Sequence, residues 1–163
     1  LLSDTYSQLG YQAESGPWRN FYLTGAQDLL KKAVPYTSKL INDGVLSQMD
    51  MGTLLDYCAI QLNGEKAGGK EAVININFTD TKEKVMLMLK NGVLNHRLGS
   101  QDKKADLTME IAKMDFVKLF FGRTDLQTLR KTNKVKTTGD TKAIDMIRSA
   151  CEPADPNFNI VLP

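Results

Sequence analysis

The chain has 163 residues, of which 42% are hydrophobic and 25% are charged, and its net charge is +2. This length and this balance are typical of one soluble globular domain with a short additional segment. A net charge this small gives no support for binding nucleic acid or an anionic membrane, so we expect no nucleic acid among the partners.

Ser15-Gly16-Pro17 predicts the start of a helix, because proline in the first turn lacks only an N–H that has no helical partner anyway. Apolar side chains, several of them aromatic, then recur every three or four residues, as on an amphipathic helix. Two interpretations stay open: the stripe packs on the domain's own core, or it docks on a neighbouring domain or subunit. The predicted docking residues are Trp18, Phe21, Tyr22 and Leu29.

Two further helices are predicted after a connector at residues 33–38. The first is short and runs through Leu40, Ile41, Val45 and Leu46. Asp50 is a suitable N-cap for the second, and Asn63-Gly64 is predicted to end it. The apolar face of this second helix carries Met51, Leu54, Leu55, Cys58 and Leu62.

The hydrophobic period then changes from 3.6 to 2, which predicts strands at residues 72–79, 84–90, 93–98 and 105–111. Asn91-Gly92 is a strong hairpin signal between the second and third strands. The second strand is apolar on both faces, so we expect it inside the sheet and covered on both sides. Together the four strands predict an antiparallel meander.

The remainder predicts helix, strand and helix. A helix is expected at 113–121 with Gly122 at its end, followed by a short helical stretch, a fifth strand at 135–138 and a last helix opened by Gly139-Asp140. Pro153 and Pro156 are expected to end that helix. The predicted fold class is α+β: a five-stranded, mainly antiparallel sheet covered by helices, with an extra N-terminal amphipathic segment.

The sequence contains no recognisable catalytic constellation. Its nitrogen and sulfur ligands are one histidine, His96, and two cysteines, Cys58 and Cys151. A hydrolytic metal centre needs several converging ligands, usually with histidine dominant. We therefore predict no catalytic residue, no metal site and no cofactor in this chain, and two free thiols that behave as buried apolar side chains.

The apolar residues suggest a different kind of site. Seven methionines and six phenylalanines are spread over elements expected to face one layer, and methionine adapts to flexible apolar ligands. Plain core packing is the alternative. The residues predicted to contact an apolar ligand are Met51, Leu55, Cys58, Phe78, Met86, Met88, Met109, Phe116, Phe120, Phe121 and Met146.

Several stretches carry a resemblance to a known family. Residues 8–14 (QLGYQAE) and 17–27 (PWRNFYLTGAQ) resemble the end of the dimerisation domain of zinc-dependent alkylsulfatases. Residues 55–57 (LDY), 61–64 (QLNG), 78–80 (FTD), 90–96 (KNGVLNH) and 158–161 (FNIV) resemble the domain that follows it, which is similar to sterol carrier protein type two. The resemblance implies two parts: residues 1–37 as the end of the dimerisation domain with a connector, and residues 38–163 as the carrier-like domain.

The resemblance implies a non-catalytic fragment of a larger enzyme. The family's catalytic domain, of metallo-β-lactamase type, holds two zinc ions with a His-x-His-x-Asp-His motif, to which nothing here corresponds. Zinc is therefore expected outside this chain, whose partners are the parent's catalytic and dimerisation domains, a homodimer mate and an alkyl-chain or lipid ligand.

Three functions follow from the resemblance and the composition. The leading one is binding of the alkyl chain of a sulfate-ester surfactant while a separate domain hydrolyses the ester. The alternatives are a ligand-free scaffold for dimer assembly and a stand-alone lipid or sterol carrier. The chain opens at Leu1 without an export signal, so the compartment stays open between the cytoplasm and the periplasm or exterior.

Overall fold

The computed structural model describes residues 1–31, 42–152 and 161, which belong to two compact units. The first unit contains residues 1–31 and Val161, and the second contains residues 42–152. The predicted division after residue 37, the helical residues Leu40 and Ile41, and the helix-ending prolines Pro153 and Pro156 lie outside the described residues.

The first unit is a pair of helices, α1 (Leu2–Gln12) and α2 (Gly16–Leu30). The predicted start of α2 is confirmed, with Ser15 at the N-cap and proline in the first turn. Small residues let the two helices approach closely, since a Cβ on Gly10 would stand 2.7 Å from Leu23 Cδ2. Ser3 is buried there, and its hydroxyl donates a 3.0 Å hydrogen bond to Ala26 O.

The second unit combines helices with one sheet. Its elements in chain order are α3 (Asp43–Gln48), α4 (Met51–Ala59), α5 (Gly64–Ala67), β1 (Ala72–Phe78), β2 (Lys84–Lys90), β3 (Val93–Leu98), β4 (Leu107–Ile111), α6 (Lys113–Phe120), α7 (Leu126–Lys131), β5 (Val135–Gly139) and α8 (Lys142–Ser149). The predicted α+β class with a five-stranded, mainly antiparallel sheet is confirmed.

Side-chain caps set several helix starts. Asp50 caps α4 as predicted, since its carboxylate accepts the Thr53 N–H at 2.9 Å. The prediction that Asn63-Gly64 ends this helix was wrong, because α4 already ends at Ala59. Asn63 instead starts α5: its side-chain oxygen accepts the N–H groups of Glu65 and Lys66.

The strand order is β3-β2-β1-β4-β5, so the predicted meander was wrong at one point. β4 does not lie beside β3; it pairs with β1, in parallel. The connection from β3 to β4 crosses the sheet face that bears Asn75, whose amide donates to Asp102 O at 2.7 Å and accepts from Asp102 N at 3.0 Å. These hydrogen bonds hold the connection against the sheet where it passes β2 and β1 to reach β4.

The sheet has one apolar face, and the helices cover it. Alternate residues such as Ile74, Leu87 and Met109 point toward the helices and are at most 1% exposed. The neighbouring positions point the other way and are mostly polar, as Asn75 and Asn77 are. The core therefore lies between this apolar face and the helices.

Lys113 holds the helical layer together at its edge. Its backbone N–H donates to the Asp80 carboxylate at 3.1 Å, so the β1–β2 turn caps α6 from a distance. Its buried ammonium donates to Ser47 O at 3.1 Å and to Met49 O, at the C-terminal end of α3. A cation at the negative end of a helix is stabilising, and here it fixes α3 against α6.

Candidate apolar binding site

Five aromatic rings form a continuous series from the sheet to the outer part of the helical layer, which we call the ring ladder. The ladder consists of Phe78, Phe116, Phe120, Phe121 and Tyr57 in that order. Successive ring centroids are 5.6, 5.9, 5.4 and 5.5 Å apart, the spacing of favourable tilted and edge-to-face pairs. The four predicted phenylalanines are therefore brought together.

Each ring of the ladder is positioned by its element. Phe78 is the last residue of β1 and points to the helix-covered face. Phe116 and Phe120 are four residues apart on α6, hence on one helix face. Phe121 follows as the C-cap, and Gly122 with a φ of 69° ends the helix behind it.

Most of the other predicted site residues belong to the same apolar core as the ladder. Met51, Leu55 and Cys58 of α4 and Met109 of β4 are buried in the same apolar cluster. Met146 of α8 is half-buried and packs against it. These side chains belong to one core together with the rings; whether they contact a ligand stays a prediction.

Met86 and Met88 are the exceptions. Their strand neighbours Val85, Leu87 and Leu89 belong to the core cluster, whereas these two methionines do not. Successive strand side chains point to opposite faces, so both methionines lie on the face of the sheet away from the helices. The expectation that all predicted site residues face one layer was therefore wrong for these two.

Tyr57 is the ladder residue that the sequence did not assign to the site. It lies off the Met51, Leu55 and Cys58 stripe of α4, so the helical period gave no reason to include it. Its ring closes the outer end of the ladder against Phe121, and both rings are half-buried. The inner rings Phe78, Phe116 and Phe120 are only 0–4% exposed, so the ladder leads from the surface into the core.

The two cysteines lie near the same core and are free thiols, as predicted. Burial, together with a smaller effect of the neighbouring Cys151, raises the pKa of Cys58 to about 12. Burial also raises the pKa of Cys151 to about 11, while the positive charge of Arg148 acts in the opposite direction. Both thiols therefore stay protonated at neutral pH.

We expect these thiols to react with iodoacetamide at pH 8 far more slowly in the native protein than in urea, since the thiolate is the nucleophile. The unfolded thiol ionises at its ordinary value of 9.0, well below the native pKa of about 12 for Cys58. Their contribution to the free energy of unfolding is constant below pH 9 and is lost as the pH rises toward 12. Mass spectrometry should find Cys151 labelled first; equal labelling rates in native and unfolded protein would contradict this.

Within the described part of the chain, the residues that could bind a metal do not converge. His96 lies on β3 with its Nδ1 3.6 Å from Asp56 Oδ1 of α4, an arrangement that orients the imidazole. Among residues 1–31, 42–152 and 161, no three His, Cys, Asp or Glu side chains form a group that fits a metal ion. The zinc implied by the resemblance therefore has no ligand set in this part of the molecule.

No helix within residues 1–31 and 42–152 has the length and apolarity needed to cross a membrane.

The predicted docking face lies on the first unit. Trp18, Phe21 and Leu29 are 59%, 51% and 41% exposed, which is high for large apolar side chains. Tyr22 is half-buried and its ring centroid lies 5.9 Å from that of Trp18 and 6.1 Å from that of Tyr6. Within the described residues, then, only Tyr22 of these four is substantially covered by its own unit.

Comparisons with known proteins identify the family of this chain. The family model for the alkyl sulfatase C-terminal domain matches residues 39–163, and the model for the alkyl sulfatase dimerisation domain matches residues 1–32. A linear primary-alkylsulfatase of Pseudomonas sp is 38% identical over 165 residues, covering 100% of this chain and 24% of the relative. An (R)-specific secondary-alkylsulfatase of Pseudomonas sp is 36% identical, with the same coverage.

Solved structures give the same result. The inverting sec-alkylsulfatase Pisa1 from Pseudomonas sp. matches with a TM-score of 0.85 and 36% identity, over 98% of this chain and 25% of Pisa1. The chain spans about a quarter of the length of the alkylsulfatases it matches. It belongs to the alkyl sulfatase C-terminal family, preceded by helices that match the alkyl sulfatase dimerisation family.

Proposed function

We propose that this chain is the non-catalytic, alkyl-tail-binding C-terminal part of an alkylsulfatase. A zinc centre in another part of the whole protein would hydrolyse the sulfate ester. The observation that carries the proposal is the ring ladder, which connects two half-buried rings, Tyr57 and Phe121, with a buried ring on the sheet, Phe78. An alkyl tail entering between the outer rings would contact the aromatic side chains of the ladder.

Burial of the tail supplies the driving force. Each methylene removed from water contributes about 0.8 kcal/mol, so a dodecyl tail retains several kcal/mol after the costs of ordering. The rings already contact one another, so the tail must displace side chains as it enters. Met51, Met109 and Met146 are suited to this because an unbranched thioether changes rotamer easily. The charged head stays near water, where it needs no buried counter-charge.

The docking face has a second role in this proposal. Residues 1–32 match the dimerisation family, and the related alkylsulfatases are about four times as long as this chain. We infer that Trp18, Phe21 and Leu29 pack against the remainder of the dimerisation region in a homodimeric parent enzyme. An apolar surface of this kind is otherwise a site of association.

Titration with a fluorescent fatty acid tests tail binding. We expect saturable uptake that dodecyl sulfate displaces at concentrations below its micelle threshold, with no sulfatase activity after zinc is added. Phe121→Ser, at the outer end of the ladder, should weaken uptake roughly tenfold, by loss of buried apolar area. Phe21→Ser is the matched control on the first unit and should leave uptake unchanged. Absence of saturation, or equal loss in both variants, would remove the proposal.

A ligand-free scaffold is the second candidate, and the tight ladder favours it. Phe116 and the core residues Leu54 and Leu55 are fully buried. Complete burial of this kind is typical of a close-packed core without room for a ligand. In that case no probe is taken up, and the chain acts only through its docking face. Phe21→Asp in the intact enzyme should then break dimer assembly without any change in lipid uptake.

A further inference from the structure

Arg148 of α8 is a half-buried cation with unused hydrogen-bonding capacity. Its Nη1 lies 3.5 Å from Asp145 Oδ1, a long and therefore weak ion pair. Its Nε is buried and has no hydrogen-bond acceptor among the described residues. The side chain is 22% exposed, so part of the guanidinium is reached from solvent. An unpaired buried donor is costly, and its presence calls for an acceptor.

Arg148 is one of the residues that line a groove on the second unit. This groove of about 580 Å³ is lined by Asp125, Leu126, Gln127, Thr128, Lys131, Asp145 and Arg148. Its charged groups are two cations, Lys131 and Arg148, and two carboxylates. Asp125 is already committed to its own helix, because its oxygens accept the N–H and the hydroxyl of Thr128, both at 2.8 Å. Asp145 Oδ1 lies beside Nη1, and among the described residues the buried Nε has no hydrogen-bond acceptor.

The same arginine lies near the residue that follows Phe121 of the ring ladder. A Cβ placed on Gly122 would be 3.9 Å from Arg148 Nη2, and Gly122 directly follows the ladder residue Phe121. The charge of Arg148 also acts on the Cys151 thiol, which in turn interacts with Cys58 of the core. Because Gly122 has no side chain, nothing from that residue fills the space beside the guanidinium.

We propose that Arg148 binds the anionic head group of an amphiphile whose tail occupies the ring ladder, a sulfate monoester or a carboxylate. The proposal rests on the proposed function and adds the head-group end of the same site. A turn about the last torsions of Arg148 presents its Nε–Nη2 edge to the groove, and two oxygens of the head group accept from that edge. Arginine is suited to this, since its planar fork matches oxyanions bidentately. Lys131 adds a second positive charge, and the head remains at the groove, next to water.

The test compares three probes: dodecyl sulfate, dodecanoate and uncharged dodecanol. Arg148→Gln should weaken the binding of dodecyl sulfate and of dodecanoate roughly tenfold to a hundredfold, because a charge-assisted bidentate contact is lost. The affinity for dodecanol should change by no more than about twofold. The affinity of Arg148→Lys for the two anionic probes should lie between that of the unaltered chain and that of Arg148→Gln. An ammonium keeps the positive charge but cannot make the bidentate contact of a guanidinium. Lys142→Gln removes an exposed cation from the same helix and should change none of the three.

The outcomes separate this proposal from the one on which it rests. Equal loss for all three probes would mean that Arg148 only supports the fold, and an unchanged dodecyl sulfate affinity would overturn the site directly. If no tailed probe binds to the unaltered chain, the tail-binding function fails. The head-group site can still be tested in that case by titrating the chain with free sulfate. If the site exists, the NMR chemical shift of the Arg148 Nε–H should change and saturate. No such shift would overturn the head-group site as well, and the urea midpoint of Arg148→Gln shows whether the variant is folded.

Discussion

Gly139→Ala should cost roughly 3–5 kcal/mol of the free energy of unfolding, a large part of the roughly 5–15 kcal/mol by which folded domains are stable. Gly139 ends β5 with a φ of 105°, a backbone conformation that L residues with a side chain rarely adopt. An added Cβ would overlap Asp106 O and stand 3.2 Å from Leu107 Cα. Both obstacles are backbone atoms, so no side-chain rotation relieves them.

Asp106 cannot move to make room, because it ties three strands together. Its backbone N–H donates to Val73 O at 2.9 Å, and its carboxylate accepts the Val73 N–H at 2.8 Å. Its carbonyl accepts the Asp140 N–H at 2.8 Å. Displacing it would break hydrogen bonds to β1 and to the end of β5 together.

Gly99→Ala is the matched control for this prediction. Gly99 has a φ of 70°, but nothing lies within 4 Å of the position of its Cβ. Gly99→Ala introduces backbone strain but no overlap, so the free energy of unfolding should fall by only about 1–2 kcal/mol. Urea denaturation of both variants measures the difference. Similar losses at the two glycines would contradict the close approach of Asp106 to β5.

Phe116→Ala should lower the free energy of unfolding by about 3–5 kcal/mol. Phe116 is fully buried, contacts the rings of Phe78 and Phe120, and occupies the middle of the ring ladder. Its removal leaves an apolar cavity that stays dry and should bind small aromatic molecules. Addition of benzene should therefore raise the melting temperature of the variant and leave that of the unaltered chain unchanged.

Phe21→Ala serves as the control for Phe116→Ala. Phe21 is 51% exposed on the first unit, so its truncation should cost less than about 1 kcal/mol in this chain. Equal losses for Phe21 and Phe116 in calorimetry, or no benzene effect at Phe116→Ala, would contradict the placement of Phe116 at the centre of the core.

The local elements of this fold could be predicted because their signals are local. The strand from Val93 to Leu98, the Asn91-Gly92 hairpin and the Asp50 cap depend on residues a few positions apart. The position of β4 depends on hydrogen bonds between Asn75 and Asp102, which are 27 residues apart. Periodicity carries no information about such pairings, so the sequence favoured a simple meander.

The candidate site was predictable to a similar degree. Phe116, Phe120 and Phe121 share a helix, and their approach to Phe78 follows from packing that helix on the sheet. Met86 was misplaced because β2 is apolar on both faces, so alternation could not show which face meets the helices. Arg148 gave no sequence signal, since an unpaired donor becomes visible only when its surroundings are known.

The most direct test of tail binding is an NMR measurement of intermolecular nuclear Overhauser effects with dodecyl sulfate below its micelle concentration. Tail binding in the core predicts contacts from the chain methylenes to the ring protons of Phe116, Phe120 and Phe121. Contacts confined to Trp18 and Phe21 of the first unit, or none at all, would contradict it.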